Sequence, residues 1–315
     1  MRAATVRDSE ILVEEHPDPE PGAGEVLVRV RGAGLNGADV LQRKGAYPAP
    51  PGSPEDIPGL ELAGEVAALG AGASRFAEGD RVMAIVGGGG QAELAVVHER
   101  QLMPVPDGLD WPEAGGAPEV FTTAHDAIFT QCGLRAGERL LVHGAAGGVG
   151  SAAVQLGRAA GAHVTATVRS EDLRDGVREL GAHVVLEPDG FEEYGPFDVI
   201  LELVGAPNLP GDLKALETGG RIVVIGVAAG FKAEVNLLAL MGKRATLRAS
   251  TLRARPLEEK AATARAMERH VLPLLDRGDI RVPVAATFAL DDVAAAYDRF
   301  TAGSKLGKVV LTMGS

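Results

Sequence analysis

The chain of 315 residues holds one cysteine, Cys132, which rules out an internal disulfide and a thiolate cluster for structural zinc. Aromatic residues make up only 4%, with a single tryptophan, Trp111. Positive charge is in deficit: 31 Lys and Arg stand against 43 Asp and Glu, for a net charge of -12. That balance argues against nucleic acid or an anionic membrane as the main partner, while leaving room for a local basic pocket that takes one phosphate. Long apolar runs are also missing. No segment approaches the length of a bilayer, and the opening stretch MRAATVRDSEILVEE meets charge before a signal-like apolar run forms. The expected location is cytoplasmic. No internal repeat or low-complexity tract suggests a solenoid or a tail.

What is present is an apolar share of 46% and 42 glycines. The length suggests two domains or one large one, with ample material for a core. The glycines are most telling between Arg139 and Leu156, RLLVHGAAGGVGSAAVQL. Leu140, Leu141 and Val142 read as a strand covered on both faces, followed at once by a glycine-rich turn and a helix. This order predicts a dinucleotide cradle. Gly147, Gly148, Val149 and Gly150 form its phosphate-facing backbone: Gly147 allows close approach of a pyrophosphate, Gly150 lets the helix pack on the strand, and the helix N-terminus directs N–H groups at the phosphates. The first position of a strict G-x-G-x-x-G is Ala145 here, so the spacing alone is equally compatible with a tight turn of small residues; the strand-turn-helix context favours the cradle.

Ahead of this stretch, Val26, Val28 and Val30 alternate with Leu27, Arg29 and Arg31, the pattern of half-buried β structure. Gly32 to Val66 is expected to hold one short helix and a proline-rich loop, and a second glycine cluster spans Gly87 to Gly90. Past Trp111 to Pro118 the pattern changes to alternating strand and helix. Strands are predicted at Leu140 to His143, His163 to Val168, Val184 to Leu186, Asp198 to Leu203 and Arg221 to Ile225, which is βαβ order and implies a doubly wound parallel sheet. Ala245 to Ala249 is a candidate edge strand, open to a second subunit. Beyond Arg255-Pro256 come a charged helix from Leu257 to Asp276, a strand near Pro283 to Phe288, a helix from Asp291 to Phe300 and the apolar end Lys308 to Met313. The predicted division is residues 1–120 with 256–315 as one domain and 121–255 as a nucleotide-binding domain.

The second strand of the sheet ends Val168-Arg169-Ser170, where NAD-specific folds place an acid on the ribose. A guanidinium and a hydroxyl suit a 2′-phosphate, with Arg174 one helical turn on, so NADPH is favoured. Glu171 and Asp172 lie close by and could serve a free ribose, which keeps NADH as the alternative.

Together these motifs resemble the zinc-free quinone oxidoreductases of the medium-chain dehydrogenase/reductase superfamily, over essentially the whole chain. LNGADVLQRKGAYPAPPG carries Asn36, Asp39, Arg43, Gly45 and Tyr47 of that family's N-x-x-D-x-x-x-R-x-G-x-Y-P signature; Pro58-Gly59-Leu60-Glu61, GGGGQAELAVV, HGAAGGVG and LGKVVL follow in order. The resemblance implies an α/β protein with a GroES-like, mainly β catalytic domain, a Rossmann domain and a homodimer joined through the Rossmann sheets, with dimer against tetramer left open. It places Asn36 and Tyr47 beside the nicotinamide, Tyr47 as donor of a hydrogen bond or proton to the developing oxyanion. It adds Thr123, Val204, Gly226, Val227, Thr251, Leu252 and Arg253 to the cofactor contacts. Residue by residue, the alternatives are that Asn36 closes an Asx turn, that Tyr47 packs on the proline loop and that Asp39 caps the short helix.

No metal is expected. Zinc-dependent relatives have a cysteine where this chain has Asn36 and a histidine where it has Leu60, leaving Asp39 and Glu61 without soft partners. His125 and His143 are expected to be structural or cofactor-lining. Two departures touch the cofactor: Glu187-Pro188 replaces the family's Asn-Tyr, and Leu173 replaces a lysine. The expected activity is NADPH-dependent reduction of a quinone or quinone-like electrophile; reduction of an activated carbon-carbon double bond and a non-catalytic NADPH-binding redox sensor are the alternatives.

Overall fold

The computed structural model describes residues 1–314, which form two compact units. One contains Met1–Thr122, Leu252–Gly303 and the chain from Lys308 onward; the other contains Thr123–Thr251 and Ser304–Gly307. Among the described residues no helix is long and apolar enough to cross a membrane.

The second unit is built on six parallel strands: β1 (Arg139–Val142), β2 (His163–Thr167), β3 (Val184–Leu186), β4 (Phe197–Glu202), β5 (Leu216–Val224) and β6 (Thr246–Ala249). Their order across the sheet is β3-β2-β1-β4-β5-β6. The order reverses beside β1, and in such sheets ligands bind outside the carboxyl ends at that switch point. The sequence of β1 explains its place. Leu140, Leu141 and Val142 are fully buried, as a central strand covered on both faces requires. The helix α1 (Gly148–Ala159) follows, and Gly157 lets it lie on β1, since a Cβ there would stand 2.6 Å from Leu140 Cδ2.

In the first unit a seven-stranded sheet runs Val284–Ala289, Lys308–Thr312, Glu25–Gly34, Glu61–Leu69, Arg81–Ile85 and Met103–Pro104, with Leu94–His98 also paired to Glu25–Gly34. Val26, Val28 and Val30 point into its core with Leu62, Val82, Tyr297 and Leu311. A short helix, Gly37–Arg43, follows the strand Glu25–Gly34. The expected single helix from Leu257 to Asp276 is two, Leu257–His270 and Leu272–Asp276. Pro273 explains the break, because it has no N–H for the preceding turn.

Candidate active site

Two groups of side chains carry the predicted chemistry, one in each unit. In the nucleotide unit the strand β1 ends at His143, whose N–H donates to Leu201 O at 3.0 Å, and Gly144 then turns with φ +62°. Gly147 precedes α1 with φ -73° and ψ 171°. The glycines differ in what they do. A Cβ on Gly150 would lie 2.5 Å from Gly144 O and 2.6 Å from Ala145 Cα, so the helix reaches the turn only because that position is bare. A Cβ on Gly147 would meet only Gly144 O at 3.4 Å, ordinary contact. Packing within the protein therefore does not require a glycine at position 147. Gly148 and Val149 open the first turn of α1.

At the end of β2, Arg169 is exposed and Ser170 half-buried. Arg174 is less free than its spacing suggests: its Nε donates to Val168 O at 3.3 Å and its guanidinium pairs with Glu187 at 3.1 Å. Glu171 and Asp172 stand exposed in a short 3-10 turn, Glu171–Leu173. The loop that follows β4 is tied back to the end of that strand. Glu202 Oε1 accepts from Val204 N at 2.5 Å and Gly205 N at 2.7 Å, and Glu202 Oε2 accepts from Asn208 Nδ2 at 3.0 Å. Gly226 approaches so closely that a Cβ would lie 2.3 Å from Leu203 O, while Val227 is largely open. Thr123 is buried and Thr251 exposed in the same unit.

Sequence reasoning missed two features here. The tetrapeptide Ser304–Gly307 belongs to the nucleotide unit: Gly307 N donates to Ala146 O at 2.9 Å, Gly307 bridges Gly147, and Ser304 Oγ lies 3.2 Å from Ser170 Oγ. It therefore borders both the cradle and the end of β2. The second feature is a buried polar hub under the strand ends. His143 joins Asp212 Oδ1 through Nε2 at 2.9 Å and Thr167 Oγ1 through Nδ1 at 2.9 Å, with Glu202 Oε2 3.9 Å away. His143, Glu202 and Asp212 lie far apart in the sequence, yet the fold gathers them so that one ligand-type atom from each lies within 4.8 Å of the others. These groups bond mainly to one another and to the Val204–Asn208 loop; burial raises the carboxyl of Glu202 above its ordinary value. Cys132 is buried and its thiol is pushed up to about 11 by that burial, so it is a poor nucleophile.

In the other unit Asn36 is 7% exposed and its side chain is held on both sides. Lys308 Nζ donates to Asn36 Oδ1 at 2.6 Å, to Leu35 O at 2.7 Å and to Glu61 Oε1 at 2.7 Å, and Asn36 Nδ2 donates to the same Glu61 oxygen at 2.9 Å. Glu61 Oε2 accepts from Glu119 N at 2.8 Å. Gly34 makes room, because a Cβ there would lie 2.3 Å from Glu61 Oε1. Asp39 braces the short helix, accepting from Asn36 N at 2.8 Å and from Gly59 N at 3.0 Å. Burial, partly offset by those two donors, moves its carboxyl up to about 6. Tyr47 is half-buried with its ring under the Arg253 guanidinium, 5.0 Å from the ring centre. Leu252 is half-buried, and Arg253, expected at the cofactor, is buried at 3% exposure among groups of its own unit.

Comparison with known proteins agrees with this architecture. Residues 22–107 match the alcohol dehydrogenase GroES-like domain and residues 148–269 match the zinc-binding dehydrogenase domain. A quinone oxidoreductase of Rattus norvegicus is 32% identical over 306 residues, covering 94% of this chain and 91% of that one. Another from Pseudomonas aeruginosa is 32% identical over 307 residues, covering 94% of each. A segment of the spectinabilin polyketide synthase system protein NorB of Streptomyces orinoci is 35% identical over 312 residues, 94% of this chain and 14% of that protein. Among solved structures, an NAD-dependent alcohol dehydrogenase superposes with a TM-score of 0.87 at 28% identity, covering 100% of both chains. The first unit is thus GroES-like and the second a Rossmann fold, in an oxidoreductase of the kind that acts on small molecules with a nicotinamide cofactor. With relatives of this identity along nearly its whole length, the chain belongs to the quinone oxidoreductase family of the medium-chain dehydrogenase/reductase superfamily.

Proposed function

We propose that the chain reduces quinones and quinone-like electrophiles with NADPH, without a metal ion, and acts as a homodimer. The observation that carries the reading is the donor set around Asn36: an amide, a carboxylate and an ammonium, with no thiolate or imidazole. Zinc in this setting needs three or four convergent N, S or O ligands. The Lys308 ammonium already neutralises Glu61, so the set does not fit a dication. A quinone accepts hydride without a Lewis acid to polarise it, so the proposed reaction needs no metal.

Bound NADPH supplies a hydride from its nicotinamide ring. The chain does the rest. Backbone N–H groups of Gly148, Val149 and Gly150 face the phosphates, where the bare Gly147 leaves room. Arg169 and Ser170 take the 2′-phosphate, and Val204, Gly226, Val227, Thr123 and Thr251 line the nucleotide. Asn36, its amide orientation fixed by Lys308 and Glu61, contacts the nicotinamide. Tyr47 hydrogen-bonds the acceptor oxygen and donates the proton that completes the hydroquinone. The homodimer reading rests on β6, which pairs with β5 on one side only, and on the exposed Leu237, Leu238 and Met241 of the helix Leu237–Lys243.

Oxidation of NADPH across a panel of benzoquinones, naphthoquinones and enones tests the reaction. Turnover with quinones and loss of most of it in Tyr47→Phe is expected; nucleotide binding with no turnover on any acceptor contradicts the reading. A second reading, reduction of an activated carbon-carbon double bond, shares the fold and the cofactor, and product analysis separates the two.

A further inference from the structure

We propose that Arg253 is a positioning residue for the acceptor: its buried guanidinium locks the Tyr47 loop in place, and it does not serve the cofactor. The catalytic part of this inference rests on the role proposed for Tyr47. Arg253 donates from three nitrogens to three separate places in the chain. Nε meets Gly87 O at 2.7 Å, Nη1 meets Tyr47 O at 3.1 Å and Nη2 meets Gln42 Oε1 at 2.5 Å, while the guanidinium covers the Tyr47 ring. One side chain thus ties the helix Gly37–Arg43, the proline-rich loop and the glycine cluster at residues 87–90.

The reason for such a fixture lies in the loop itself. Of Tyr47-Pro-Ala-Pro-Pro, three residues are prolines and have no N–H to tether the backbone. Gly45 and Gly52, with φ +70° and +85°, bracket it and have open space where a Cβ would be. The Tyr47 carbonyl instead receives the Arg253 donor, and the ring receives the cation on its face. A guanidinium at 3% exposure cannot be left without acceptors, so its three partners hold it in one pose and are held by it. Gln42 is fixed in turn, donating through Nε2 to Glu55 O at 3.0 Å. On the third side, Gly87 packs so tightly on the loop that a Cβ would lie 2.2 Å from Ser53 Oγ. The planar fork of arginine is what lets one residue serve three directions; a lysine ammonium keeps the charge and loses the fork.

The test is Arg253→Lys, with Gln42→Met as a milder variant that leaves Arg253 in place. The expected result is that NADPH affinity stays within about twofold while kcat/KM for the quinone, at saturating NADPH, falls about tenfold in Arg253→Lys and about threefold in Gln42→Met. Combining Arg253→Lys with Tyr47→Phe is expected to cost less than the two separately, because both act on one group. Amide hydrogen exchange over residues 45–53 is expected to quicken several-fold in both variants. A roughly tenfold loss of NADPH affinity with acceptor kinetics unchanged, or unaltered exchange over residues 45–53, overturns the proposal. If Tyr47→Phe keeps full activity while exchange quickens in Arg253→Lys, the lock stands and the role given to Tyr47 falls.

Discussion

At the scale of single residues, the most exposed consequence concerns Asp39. Its carboxyl is fully buried and rises from 3.8 to about 6, chiefly through burial. The folded state therefore holds a proton between about pH 4 and pH 6 that the unfolded chain has released. Stability from this group is present at low pH and declines as pH rises through 6, by up to about 3 kcal/mol. Carbon NMR of the side-chain carboxyl is expected to show a midpoint near 6 for Asp39, with unfolding free energy falling across the same window; a midpoint below 4 contradicts the assignment. The buried pair of Lys308 and Glu61 works differently, since each ion has its partner and the amide of Asn36 between them. Removing either partner alone leaves an uncompensated buried charge.

At the scale of elements, the turn into α1 holds one glycine that packing requires and one that it does not, the second proposed to face the phosphates. Gly150→Ala is expected to destabilise by about 2–4 kcal/mol, because the clash is with backbone that cannot give way. Gly147→Ala has an allowed φ and an ordinary contact, so its stability is expected within about 0.5 kcal/mol of the parent while nucleotide affinity falls about tenfold. Denaturant unfolding and nucleotide fluorescence titration read the two effects; equal destabilisation by both variants contradicts the distinction. This element was legible in the sequence because its strand, turn and helix are contiguous and each obeys a local rule. The alternating valines of Glu25–Gly34 were legible for the same reason. Arg253 was not, since Gln42, Tyr47 and Gly87 lie 166 to 211 positions away in the chain. Ser304–Gly307 and the His143 hub escaped likewise, being assembled by topology rather than by spacing. Arg174 was visible as a cation, but its pairing with Glu187 follows from the neighbouring positions of β2 and β3, which only the sheet order reveals.

At the scale of the whole molecule, the proposed dimer makes a separate prediction. Leu237, Leu238 and Met241 are each at least two-thirds exposed, an unusual apolar concentration on the helix that leads into β6, the last strand of the sheet. Light scattering is expected to give the mass of two chains, and Leu238→Glu with Met241→Glu that of one; a monomeric parent contradicts the dimer. Under the proposed function cofactor choice falls to the end of β2, where Arg169 and Ser170 suit a 2′-phosphate while Glu187 pairs with Arg174. The most direct measurement is a paired fluorescence titration with NADPH and NADH of the parent, Arg169→Ala and Glu187→Gln. The prediction is at least about tenfold preference for NADPH in the parent, its loss in Arg169→Ala, and a gain of about two- to fivefold in NADPH affinity in Glu187→Gln as Arg174 is released. Equal affinity for the two nucleotides, unchanged in Arg169→Ala, would contradict it.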